Sequence, residues 1–163
     1  MAVYPIRALP DPVLRQKARR VPAIDSSIQK LIDDMIESMC AANGVGLAAP
    51  QIGVSLRIVV IGIPDEEPFA LINPEIVKTS GERRVDEGCL SVPGYRAEVT
   101  RAQVVVAKGL GRDGKPQRIK AREDLLAQAL EHEIDHINGQ LYIDRLPSLD
   151  VLERVGPQEA ARS

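Results

Sequence analysis

Both histidines of this chain fall within five residues, His132-Glu-Ile-Asp-His136. Four residues along an α-helix amount to about 6 Å of rise and about 400 degrees of rotation, so both imidazoles leave one face, one turn apart. Two ring nitrogens so placed can grip one cation. Glu133, rotated about 100 degrees from His132, can reach water beside such an ion without ligating it, and Ile134 faces another way and can anchor the helix in a core. The segment therefore asks for a helix with one face in a core and another at a chemical centre. Taken alone, the five residues also admit a plainer reading, a charged helix with Glu131, Glu133 and Asp135 merely solvated.

A third ligand is needed to decide. Downstream of His136 only Asp144, Asp150, Glu153 and Glu159 could serve. Upstream, Glu87-Gly-Cys-Leu-Ser91 offers Cys89, whose thiolate a divalent ion stabilises, beside Gly88, which permits a tight turn. By itself Cys89 reads as a core thiol. The histidine pair changes that reading, because three protein ligands plus water is the open arrangement of a catalytic ion, whereas a structural site closes with a fourth. Such an ion lowers the pKa of water and polarises a carbonyl. Glu133 can then take the proton from water and pass it to a departing nitrogen. The expected class is a metal-dependent hydrolase.

A length of 163 residues suits one domain spanning 1–163 with a core large enough to need no staples. Aromatic residues are 2% of the chain, with no Trp and only Phe69, so Leu, Ile, Val, Ala and Met must fill the interior. The formal charge of -2 gives no global attraction to nucleic acid or an anionic membrane. Arg15, Lys17, Arg19 and Arg20 lack interleaved aromatics for base stacking and read as a solvated face or a weak docking surface. Residues 1–12 lack the features of a signal peptide, and no stretch is long and apolar enough to span a bilayer, so a cytoplasmic setting is expected. There a Cys40–Cys89 disulfide is disfavoured, and Cys40 reads as a small buried hydrophobe.

Ile28, Leu31, Ile32, Met35, Ile36 and Met39 recur at helical spacing after the N-cap candidates Asp25 and Ser26, which predicts a helix over 26–42. Gly44-Val-Gly-Leu-Ala-Ala-Pro-Gln51 reads as a buried turn or strand. Strands are expected over 57–62, over 69–72 where Asn73-Pro74 stops it, and over 95–100, while residues 82–87 lead from a polar turn up to Gly88. Residues 102–107 and 117–121 flank a strong turn signal and read as a hairpin. A second helix over 123–139 is broken by Asn138-Gly139, and a terminal helix covers 148–155. Helix, many short strands and helix in that order predict an α+β fold with antiparallel or mixed sheets around a central metal-binding helix.

Three segments, Gly44 to Gln51, Glu87 to Ser91 and His132 to His136, together resemble the motifs of the peptide deformylase family, in the same order and with similar separation. The resemblance covers nearly the whole chain. It implies removal of the N-formyl group from formyl-methionyl nascent peptides, with release of formate, by water attacking the formyl carbon. It implies Cys89, His132 and His136 as ligands of one divalent ion, usually Fe(II) in the cell, with zinc, nickel or cobalt able to occupy the site. Glu133 is then the general base and acid, and the Gln51 side chain and the Leu90 backbone N–H stabilise the oxyanion. The backbone of Val45 and Gly46 corresponds to the edge that pairs with an extended substrate. Val45, Val85, Leu125, Ala129 and His132 would line the pocket for the first side chain. Glu87 corresponds to a carboxylate behind the ligands, and Arg101 to a nearby cation.

Two positions depart from the family pattern. Glu131 stands where many relatives have Gln, and Gln128 where an apolar pocket residue is common. Acidic Asp150, Glu153 and Glu159 outweigh Arg154 and Arg162 in the tail, which argues against ribosome docking by a basic terminal helix. Two other readings stay in view. A metallopeptidase cutting internal peptide bonds would take Asp144 or Glu153 as third ligand, and a non-enzymatic metal-binding module would close its site with a fourth.

Overall fold

The protein, described from a computed structural model over residues 2–156, is α+β. Helix α1 spans Ser26–Ala41, with the Asp25 side chain accepting from the Ile28 amide at 3.1 Å. Strand β1 (Gly46–Ala48) follows, then a 3₁₀ turn at Ala49–Ile52, β2 (Ile58–Ile61) and β3 (Phe69–Ser80). Next come β4 (Arg83–Cys89), β5 (Val92–Arg101), β6 (Val104–Leu110), β7 (Pro116–Arg122), helix α2 (Leu125–Ile137) and the short β8 (Glu153–Arg154).

The strands form two antiparallel sheets, β1-β2-β3-β6-β7 and β4-β5-β8. Side chains alternate along a strand, and β2 shows what each face of the larger sheet covers. Val59 and Ile61 pack with Leu130, Ile134 and Ile137 of α2, while Ile58 and Val60 pack with Ile32, Met35 and Met39 of α1. A strand covered on both faces needs no polar positions, which explains the unbroken Ile58-Val-Val-Ile61. A third apolar cluster joins Leu14, Leu141 and Tyr142 to Cys89, Val92, Ala97 and Val99 of the smaller sheet. Helix α2 therefore has the larger sheet on one side and the β4-β5 hairpin on another.

Several boundaries differ from the sequence expectations. Strand β3 does not stop at Asn73-Pro74 but runs on to Ser80. A register irregularity between Ile72 and Glu75 absorbs the proline, with Asn73 at φ 53° and its side chain bonded both ways to the Val21 backbone at 2.8 and 3.0 Å. The terminal helix is a single 3₁₀ turn, Leu149–Val151, before β8 pairs with β5 at Tyr95 and Arg96. Leu149 and Val151 are exposed, so a longer helix there would bury no apolar face to sustain it. Cys40 is also exposed, because the buried stripe of α1 runs through Met35 and Met39 and turns away from it. Glu159 and Arg162 lie outside the described residues. Among the described residues no helix is long and apolar enough to cross a membrane.

The α2 start is capped by Asp124, whose Oδ1 accepts from the Ala127 amide at 2.8 Å. Asp124→Ala is expected to lower stability by about 1 kcal/mol, read as an earlier urea midpoint with an unchanged slope. An unmoved midpoint would show that tertiary packing alone holds this end.

Candidate metal centre

Helix α2 carries its chemistry on the face turned away from the larger sheet. Leu130, Ile134 and Ile137 anchor it there, and His132 and His136 leave toward the β4-β5 hairpin. The helix stops at Gly139 (φ 78°), where a Cβ would lie 2.7 Å from the Arg15 carbonyl oxygen. The last carbonyls remain satisfied, since Ile137 O accepts from the Ala18 amide at 2.8 Å and from Arg57 at 3.1 Å. Cys89 ends β4 at a two-residue turn, with Cys89 opposite Val92 and a bulge between Gly88 and Cys89. That bulge turns the thiol inward.

The three side chains meet in the interior, at 0% exposure for Cys89, 2% for His132 and 1% for His136. Cys89 Sγ lies 3.3 Å from His136 Nε2, and the two Nε2 atoms lie 3.2 Å apart. All three donor atoms fall within 4.8 Å of one another. A tetrahedral transition-metal ion requires about 3.3 Å between two ligating nitrogens and about 3.5 Å between nitrogen and sulfur, so the donor set fits such an ion. No fourth protein ligand joins them among the described residues. Asp144 is engaged elsewhere, accepting from Arg15 at 2.5 Å and from the Leu141 amide at 3.0 Å, and Glu153 is exposed on β8.

Behind His132 stands Glu87, 2% exposed, in contact with His132 Nδ1 through Oε1. This contact leaves Nε2 for the ion. Arg101 donates to both Glu87 oxygens, through Nε at 3.0 Å and through Nη2, and its Nη1 reaches Asp135 at 2.9 Å. Asp135 in turn accepts from Arg145 at 2.7 and 2.9 Å. The Arg101 pairing is buried, at 1% exposure. Burial opposes ionisation of Glu87, but His132 and then Arg101 outweigh it and hold its carboxyl well below the carboxylate range. Burial likewise opposes charge on His132, yet Glu87 and Glu133 raise its proton affinity, and that negative field suits a cation on Nε2 equally. Burial and then His132 push His136 below the imidazole range, toward the neutral form a ligand needs.

Glu133 is 0% exposed and lies against β1, where a Cβ built on Gly46 would fall 2.5 Å from its Oε2. Only glycine leaves room for that carboxylate. Gln51, on the 3₁₀ turn after β1, accepts from the Ala48 amide at 3.0 Å and directs its NH₂ to Ser91 Oγ at 3.1 Å, with Cys89 Sγ at 3.8 Å. Leu90 occupies the β4-β5 turn beside Cys89. A cavity of about 440 Å³ opens next to the centre, lined by Val45, Leu125, Glu87, Gly88, Arg96 and Gln128 among others. Val85 is half-buried on β4 and Ala129 lies in the core against the larger sheet, and neither lines this cavity. Glu131 faces away from the ligands and accepts from the Ala102 amide at 2.7 Å.

Sequence reasoning did not single out Ser91, Asp135, Tyr142 or Arg145. Ser91 and Asp135 lie inside the quoted motifs, where spacing to Cys89 and His136 was a signal that could have found them. Tyr142, stacked on His132 with ring centroids 6.3 Å apart, and Arg145 carry no local signal. Glu87→Gln is expected to weaken ion retention by about 10- to 100-fold, measured by competition with a chromophoric chelator. Retention equal to the parent would remove Glu87 from the centre.

The polypeptide deformylase family model matches residues 3–151. A peptide deformylase of Dehalococcoides mccartyi (strain CBDB1) is 60% identical across 98% of this chain and 95% of its own length. One from Halothermothrix orenii is 52% identical across 90% of this chain and 95% of its own. The crystal structure of a Legionella pneumophila peptide deformylase superposes with a TM-score of 0.87 at 51% identity, covering 91% of this chain and 88% of that one. An Ehrlichia chaffeensis peptide deformylase, solved in complex with actinonin, gives 0.88 at 40% identity, with 92% of each chain covered. With its metal-ligand set, its fold and nearly its whole length in common with these proteins, the chain belongs to the peptide deformylase family.

Proposed function

We propose that the chain acts as one catalytic domain that hydrolyses the formyl group from formyl-methionyl nascent peptides, releasing formate and a free amine. The observation that carries this reading is the buried Cys89–His132–His136 set with the Glu133 carboxylate packed against Gly46. Cys89, His132 and His136 would hold one divalent ion, Fe(II) in the cell or zinc, nickel or cobalt in its place, which supplies Lewis acidity to water and to the formyl carbonyl. Glu133 takes a proton from the attacking water and delivers it to the nitrogen as the C–N bond breaks. The charge developing on the formyl oxygen falls to the Gln51 amide and the Leu90 backbone N–H. Ser91 Oγ, accepting from Gln51 at 3.1 Å, orients that amide before substrate arrives.

Substrate placement follows from the sheets. β1 is an end strand of the larger sheet and β4 of the smaller one, and the cavity lies between Val45 and the Glu87-Gly88 segment. An extended peptide adding its backbone to Val45 and Gly46 would bridge the two. Its first side chain enters the cavity beside Leu125. A cytoplasmic setting suits that substrate.

Anaerobically prepared, metal-loaded protein is expected to release formate from a formyl-Met peptide and to leave the unformylated peptide intact. Equal cleavage of the latter would instead favour a peptidase. Glu133→Ala is expected to keep its ion, by elemental analysis, and to lose at least about a hundredfold in turnover; near-parental turnover would remove Glu133 from proton transfer. Peroxide is expected to inactivate the Fe(II) form and to add oxygen at Cys89, read by peptide mass separately from exposed Cys40. Full survival of that form would contradict the assignment.

A further inference from the structure

Gln128 lies one helical turn before His132, so both side chains leave the same face of α2. Its amide nitrogen donates to the Asp86 carbonyl at 3.2 Å and to Glu87 Oε2 at 3.2 Å. With both hydrogens directed at acceptors the amide has one orientation, since the flipped form would aim its oxygen at a carbonyl and a carboxylate. The other Glu87 oxygen meets His132 Nδ1. Arg101 holds the same carboxylate from β5, and Gln128 holds it from the cavity, where its half-buried side chain forms part of the wall.

We infer that Gln128 is a positioning residue that couples the substrate cavity to the metal centre. By opposing the pull of Arg101, it keeps Glu87 turned toward His132 and so keeps His132 Nε2 aimed at the ion. A side chain entering the cavity touches the same amide, so occupancy and ligand orientation share one group. The kinetic part of this inference rests on the deformylase reading, and the ion-holding part does not.

The test compares metal-loaded parent with Q128M, which keeps length and bulk but loses the donor, and Q128E, which sets an acceptor against Glu87. Q128M is expected to release its ion to a chelator about tenfold faster, with Q128E faster still. On a formyl-Met peptide, kcat of Q128M is expected to fall by a similar factor while KM stays level or drops against the more apolar wall. Circular dichroism checks folding, and if Q128E does not fold, Q128M decides alone. Parental ion release and kcat in Q128M, with only KM moved, would overturn the inference and leave Gln128 a cavity wall. A parent that releases no formate would count against the deformylase reading, and the chelator comparison would still decide the role of Gln128.

Discussion

Glu87 sits in the interior with His132 on one oxygen and Arg101 on both, and the metal centre depends on that arrangement. A lone carboxylate or guanidinium at such depth would be strongly disfavoured. Each is tolerated because the other is present, and because Asp135 and Arg145 extend the pairing toward the surface. The network also does chemical work at a distance. It occupies His132 Nδ1, which leaves Nε2 facing His136 and Cys89, and it surrounds the ligand set with a field suited to a cation.

The fold holds this network by covering α2 from two sides. The larger sheet takes the apolar residues Leu130, Ile134 and Ile137, and the β4-β5 hairpin supplies Glu87, Cys89 and Arg101. Neither contact suffices alone, since the sheet sets the helix rotation and the hairpin brings the sulfur and the carboxylate. Gly46 joins the two functions. It is part of the strand that packs on α2 and the only residue type that admits Glu133 at that distance. The placement of the end strands β1 and β4, between which the proposed function seats the substrate, follows from the same packing.

Much of this was readable along the chain where the signal is local. Helical spacing marked α1 and α2 to within a residue or two, with Asp25 among the cap candidates for α1, and Gly111 to Pro116 marked the β6-β7 hairpin. The ligand trio was readable because two histidines at helical spacing require a third donor, and the chain offers few. Reading failed where a neighbour overrides local preference. Asn73-Pro74 looks like a strand end until Val21 satisfies the Asn73 side chain and a bulge carries the pairing past the proline. The 148–155 segment looks helical until nothing covers Leu149 and Val151.

Which atoms could hold an ion and which carboxylate could move a proton is legible in the chain alone, because those properties reside in residue type and in spacing along one helix. Family resemblance extended that to an activity. Tertiary structure alone decided that Arg101 is buried on Glu87, that Glu131 points to the Ala102 amide, and that Gln128 bonds Glu87 at the cavity wall. Those facts depend on how β4 and β5 pair and on which turn of α2 faces them, relations between residues 14 to 41 apart that no local pattern encodes.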